Sequence, residues 1–96
     1  MPTPEELAAE IQALEKLKPT VRRYGASGDN HAAIDAEIEV LKGGLTESQI
    51  WTLFEDEEND PDAYLVNCAL DAQRWLAGQA DYEAPHLAWL PLAEAA

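Results

Sequence analysis

Lys42-Gly43-Gly44-Leu45-Thr46-Glu47-Ser48-Gln49-Ile50 is the stretch that decides the fold, because one helix ends and another begins inside it. A basic last turn followed by glycine is a helix stop, since glycine enters the positive-φ region without a Cβ clash. Thr46 then offers its hydroxyl to the free N–H groups of the next helix, and Gln49, three residues on, returns the bond. Leu45 and Ile50 flank this cap as a hydrophobic staple. Two helices joined so closely predict an all-α chain.

Upstream, His31, Ile34, Ile38 and Leu41 recur at helical spacing, which predicts a helix over about 30–42 starting at Asp29 or Asn30. In this reading Asp35 and Glu39 share a neighbouring face and Glu37 points elsewhere. Downstream, Ile50, Trp51, Leu53 and Phe54 give the apolar face of a helix over about 46–56. The run Glu55-Asp56-Glu57-Glu58 falls at its C-terminus, where negative charge is unfavourable, so fraying is expected there.

Asp60-Pro61 caps and opens a further helix over about 61–77, ended by Gly78. Its stripe is Leu65, Cys68, Ala69, Ala72 and Leu76, widened by Val66, Leu70 and Trp75, with Asn67, Asp71 and Arg74 opposite. At the other end of the chain, Thr3-Pro4-Glu5-Glu6 starts a helix over about 4–18, striped by Leu7, Ile11, Leu14 and Leu17. Residues 19–30 read as a connector rich in turn formers. The tail from Gln79 carries Tyr82, Leu87, Trp89, Leu90 and Leu92, broken by Pro85 and Pro91. It either wraps back over the bundle or stays free to dock on a partner.

The architecture expected is one helical domain over 1–96: an N-terminal helix (1–18) that packs or serves as an arm, core helices over 29–78, and an apolar, proline-broken tail over 79–96. About four helices form a small bundle. The length supports one domain, and 17 of the 45 apolar residues are alanine, so the bulky core is thin and a deep-pocketed enzyme is not expected.

The net charge is −13, from 19 acids and 6 bases. Residues 1–23 balance, and the whole excess lies in residues 24–96, where only Lys42 and Arg74 oppose 15 acids. Such a field repels nucleic acid and anionic membrane and attracts basic surfaces. The acid either keeps the protein soluble or meets a basic partner. Asp35, Glu39, Glu55, Asp56, Glu57, Glu58, Asp60 and Asp62 form the candidate acidic face, and Leu7, Ile11, Leu14, Trp89 and Leu90 the candidate self-association surface. No apolar run is long enough to span a bilayer and no signal peptide is evident, so the expected location is the cytoplasm.

Chemistry is poorly provided for. One cysteine and two histidines lack the ligands of a Cys/His zinc site. A calcium loop begun at Asp56 puts Pro61 and Asn67 where glycine and glutamate belong. His31 and Asp35, one turn apart, are a weak pair, and His86 has only Glu83 nearby. Cys68 sits among apolar neighbours rather than beside a base. No catalytic residue, cofactor or metal is assigned.

The stretch Asp29-Asn30-His31-Ala32-Ala33-Ile34-Asp35-Ala36-Glu37-Ile38-Glu39-Val40-Leu41, with the Leu45–Phe54 helix after it, resembles small uncharacterised proteobacterial and prophage-type proteins. The likeness covers about half the chain and implies an accessory or mobile-element context without an activity. The expected function is a non-catalytic, acidic protein–protein interaction module that self-associates or binds a basic surface. The alternative is an acidic inhibitor that mimics nucleic acid in a basic groove.

Overall fold

A computed structural model describes residues 1–21, 30–54 and 63–94. The order is α1 (Pro4–Leu17), a 3-10 turn (Lys18–Thr20), α2 (Asn30–Leu41), α3 (Glu47–Phe54), α4 (Ala63–Leu76), a second 3-10 turn (Pro85–Ala88) and α5 (Leu90–Glu94). The protein is all-α, and the described residues contain no strand. Three longer helices, α1, α2 and α4, make the body. The expected fraying at Glu55–Glu58 and the cap at Asp60-Pro61 lie outside the described residues.

The helix starts follow the local chemistry. Thr3 Oγ1 accepts from Glu6 N–H at 3.1 Å, and Glu6 Oε1 accepts from Thr3 N–H at 3.4 Å. Thr46 and Gln49 make the same reciprocal pair at 3.2 and 2.9 Å. The ends of α2 and α4 are equally regular. Gly43 (φ +78°) donates to Val40 O while Gly44 donates to Glu39 O. Gly78 (φ +75°) and Gln79 repeat this pattern on Trp75 O and Arg74 O. Both are Schellman endings, which satisfy carbonyls that a helix would otherwise leave bare.

One helix departs from the amphipathic expectation. α2 is the central element, packed against α4 most extensively and against α1 on another side. Ala33, Ile34, Ala36, Glu37, Ile38, Val40 and Leu41 are all buried, leaving Asp35 and Glu39 as its exposed positions beyond the first turn. The sequence shows a stripe, but small alanines let neighbours approach on the sides between, so the helix is enclosed nearly all round.

The tail covers its own bundle. Trp89 is 0% exposed and is the largest fully buried side chain among the described residues. Pro85 is buried, and Leu90, Leu92 and Ala93 are half-buried. The 3-10 turn Pro85–Ala88 packs on both α1 and α4. Burying a tryptophan removes a large apolar area from water. That burial supplies bulk that the alanine-rich helices lack.

Candidate functional site

Two carboxylates inside the protein hold this tail. Leu7, Glu10, Leu14 and Leu17 lie three and four residues apart, so Glu10 occupies the inward stripe of α1 and is 4% exposed. Its Oε1 accepts from the backbone N–H of His86, and its Oε2 bonds the ring Nδ1 of the same residue. Glu37 sits three residues after Ile34 and four before Leu41, again within an inward face. It is 0% exposed, and both of its carboxyl oxygens accept from the Trp89 Nε1–H, at 3.0 and 2.9 Å. The Cys68 thiol, from α4, also bonds the Glu37 side chain.

Burial pushes the Glu37 carboxyl well above the usual carboxylate range. The hydrogen bond from Trp89 opposes that shift, the negative charges of Glu10 and Asp71 reinforce it, and the bond with Cys68 opposes it again. Desolvation disfavours the charged form, and a second carboxylate disfavours it further.

Above this cluster lies a groove of about 340 Å³ between α4 and the tail. Cys68 and Asp71 come from α4, while Asp81, Tyr82 and Glu83 come from the linker. Pro85, Leu87 and Ala88 of the 3-10 turn form an apolar wall, and Glu37 reaches the floor. Leu87 is 38% exposed, one of three large hydrophobic side chains open to solvent among those described. Arg74, which does not line the groove, holds two residues that do: it pairs with Asp71 at 3.0 Å and stacks over the Tyr82 ring at 5.1 Å.

The residues singled out from sequence fall differently. Leu14 and Trp89 were expected on a self-association surface, yet both are fully buried in the core of a single chain. Leu7, Ile11 and Leu90 are half-buried, Leu7 and Ile11 packing against the core. The tail turned inward because Trp89 finds a hydrogen-bonding partner there, which an interface would otherwise have to provide. Of the acidic face, Glu39 is exposed and Asp35 is tied to Lys18 at 2.7 Å. Glu55, Asp56, Glu57, Glu58, Asp60 and Asp62 lie outside the described residues.

The His31 Nε2 lies 2.7 Å from the carbonyl oxygen of Val21, the residue that ends the first 3-10 turn. His86 finds an acid 76 residues away, in Glu10, rather than only Glu83 nearby. Glu37, expected to point elsewhere, is the most enclosed carboxylate described. Asp71, expected opposite the core, lines the groove. Cys68 is buried as the apolar stripe implied, and its neighbour is a carboxyl rather than the base or positive field that a nucleophilic thiol needs. Trp51 is 42% exposed on α3.

A sequence signal for the two buried acids was present. Glu10 and Glu37 each lie three residues after one member of an apolar stripe and four before another, Leu7 and Leu14 for the first and Ile34 and Leu41 for the second. A carboxylate at such a place needs a donor from elsewhere in the fold.

Among the described residues no helix is long and apolar enough to cross a membrane, and no cluster of three or more histidine, cysteine or acidic side chains is arranged to hold a metal ion. No protein-family model, curated protein or solved structure matches the chain.

Proposed function

We propose that the chain is a non-catalytic acidic interaction module that receives a basic protein segment in the groove between α4 and the tail. The observation that carries this reading is the groove's composition. Asp71, Asp81 and Glu83 stand around an apolar wall of Pro85, Leu87 and Ala88. An arginine or lysine side chain presents an aliphatic stem to such a wall and its charge to such a rim. Arg74 of the same chain shows that Asp71 and Tyr82 accept a guanidinium, by an ion pair and a ring contact. The net charge of −13 draws basic partners towards the protein before contact.

The partner is a different chain rather than a second copy. Two of the five residues once assigned to self-association are enclosed, and two chains of this charge repel each other. Of the acids that suggest a nucleic-acid mimic, Asp35, Glu39 and Glu47 are described and exposed, with Asp35 paired to Lys18, and the other six lie outside the described residues.

The test is binding of an arginine-bearing amphipathic peptide, followed by calorimetry at two ionic strengths. Combining Asp81→Lys with Glu83→Lys should weaken binding by about tenfold or more, whereas Glu5→Lys with Glu15→Lys, on α1, should change it far less. Raising the salt should weaken binding to the parent protein. Equal losses for both pairs, or no binding at low salt, would end this reading.

A further inference from the structure

We propose that the segment Pro85–Glu94 is a latch held shut by Glu10 and Glu37, and that rising pH releases it, dismantling one wall of the groove and uncovering Trp89. The regulatory part of this inference rests on the groove being the partner surface. The latch itself does not.

The geometry comes first. The segment consists of a 3-10 turn and a helix of five residues, too short to hold its shape unaided. Its attachment depends on what it touches: the buried Trp89 ring, the buried Pro85, and polar bonds to two acids on two different helices. Glu10 belongs to α1 and Glu37 to α2, so the segment bridges both. Leu87 and Ala88, immediately before Trp89, line the groove. Withdrawing Trp89 therefore withdraws that wall.

The groups facing Glu37 set the sign of the response. From α1 comes Glu10, from α4 come Asp71 and Cys68, and from the tail comes the Trp89 indole. Asp81, Tyr82 and Glu83 face the groove whose floor Glu37 reaches, and Arg74 is held by Asp71 and Tyr82. Of these, Glu10 and Asp71 disfavour a charge on Glu37. With the latch closed, Glu37 holds its proton beyond the usual carboxylate range. With the latch open, water reaches the carboxyl and it ionises at an ordinary pH. The closed form thus binds the extra proton, and raising the pH drives opening.

The second attachment is geometric: Glu10 bonds both the backbone N–H and the ring Nδ1 of His86, so it ties the start of the segment to α1. Release of one proton on opening changes the opening equilibrium by about tenfold per pH unit within the titrating range.

The experiment uses the full chain with Trp51→Phe and Trp75→Phe, leaving Trp89 as the reporter. Its emission is followed from acid to alkaline pH alongside far-ultraviolet dichroism. The expected result is a red shift with rising pH while the helical signal persists. In the same background, Glu37→Gln should keep the emission blue and almost independent of pH. Emission from Trp89 that stays buried throughout, or a Glu37→Gln profile that coincides with the parent, would overturn the latch.

Acrylamide quenching of the unsubstituted chain provides a check that needs no variant. The accessible fraction of its three tryptophans should rise with pH, and a constant fraction counts against release. The arginine-bearing peptide separates the two proposals, because arginine keeps its charge throughout. A peptide that binds at low pH and is lost as Trp89 emerges supports the regulatory link, and binding that persists through release overturns it. A peptide that never binds removes the groove reading alone, and the Trp89 titration still decides the latch.

Discussion

α2 places acids of the same kind in two environments. Asp35 and Glu39 face water, and Asp35 reaches Lys18 across an exposed surface. Glu37, between them in sequence, is enclosed by three other parts of the chain and receives its hydrogen bonds from Trp89 and Cys68. Outside, a carboxylate adds solubility and long-range attraction, and its loss costs little. Inside, it fixes the position of a segment 52 residues away and becomes sensitive to its own protonation. Location decides which of these roles the group has.

The contrast can be broken most severely from the tail. Trp89→Ala should cost about 3–5 kcal/mol in urea unfolding, because it removes the largest fully buried side chain among the described residues and one of the donors to Glu37. Glu37→Ala should cost about 1–3 kcal/mol, mainly through loss of the two carboxyl oxygens that accept from the Trp89 indole in the core. Glu37→Gln, which keeps an acceptor, should cost less than Glu37→Ala at acidic pH. Its cost relative to the parent should shrink as the pH rises. The sign follows from linkage: a carboxyl whose folded pKa is raised contributes its stability below the ordinary carboxylate range and loses it as the pH climbs towards the folded value. Unfolding curves at several pH values would show this as a slope present in the parent and flattened in the variant.

Smaller effects are expected away from the interior. Thr46→Ala removes the cap of α3 and should cost about 1 kcal/mol by the same measurement. Asp35→Asn breaks the exposed pair with Lys18 and should change stability by less than about 1 kcal/mol, with the difference shrinking further in salt. An Asp35→Asn loss as large as that of Glu37→Ala would erase the distinction between the two environments.

The parts of this fold legible from sequence are those governed by neighbours in the chain. Thr3 with Glu6, Thr46 with Gln49, and the glycines at 43 and 78 marked helix limits because capping involves residues within about one turn. The all-α class followed from them. What was hidden depends on contacts across the chain. Nothing local to His86 points to Glu10, and nothing around Trp89 points to Glu37. Trp51 is exposed on the apolar face of α3, and Trp89, for which both a buried and a docking place were open, is enclosed: an aromatic residue on an apolar face is buried only where a neighbouring element covers it. The stripes of α1 and α2 are complete without Glu10 and Glu37, so only the spacing of these acids from Leu7, Leu14, Ile34 and Leu41 hints at burial, and it names no partner.

Leu87, Ala88 and Trp89 follow one another in the chain, the first two lining the groove and the third filling the interior. Many binding proteins carry recognition on loops that can vary while the scaffold stays fixed. Here that separation is missing. A substitution that retunes the outward pair shifts the anchor beside it, so variants selected for a new preference would carry altered melting behaviour as a by-product, and screens for either trait would recover changes in both.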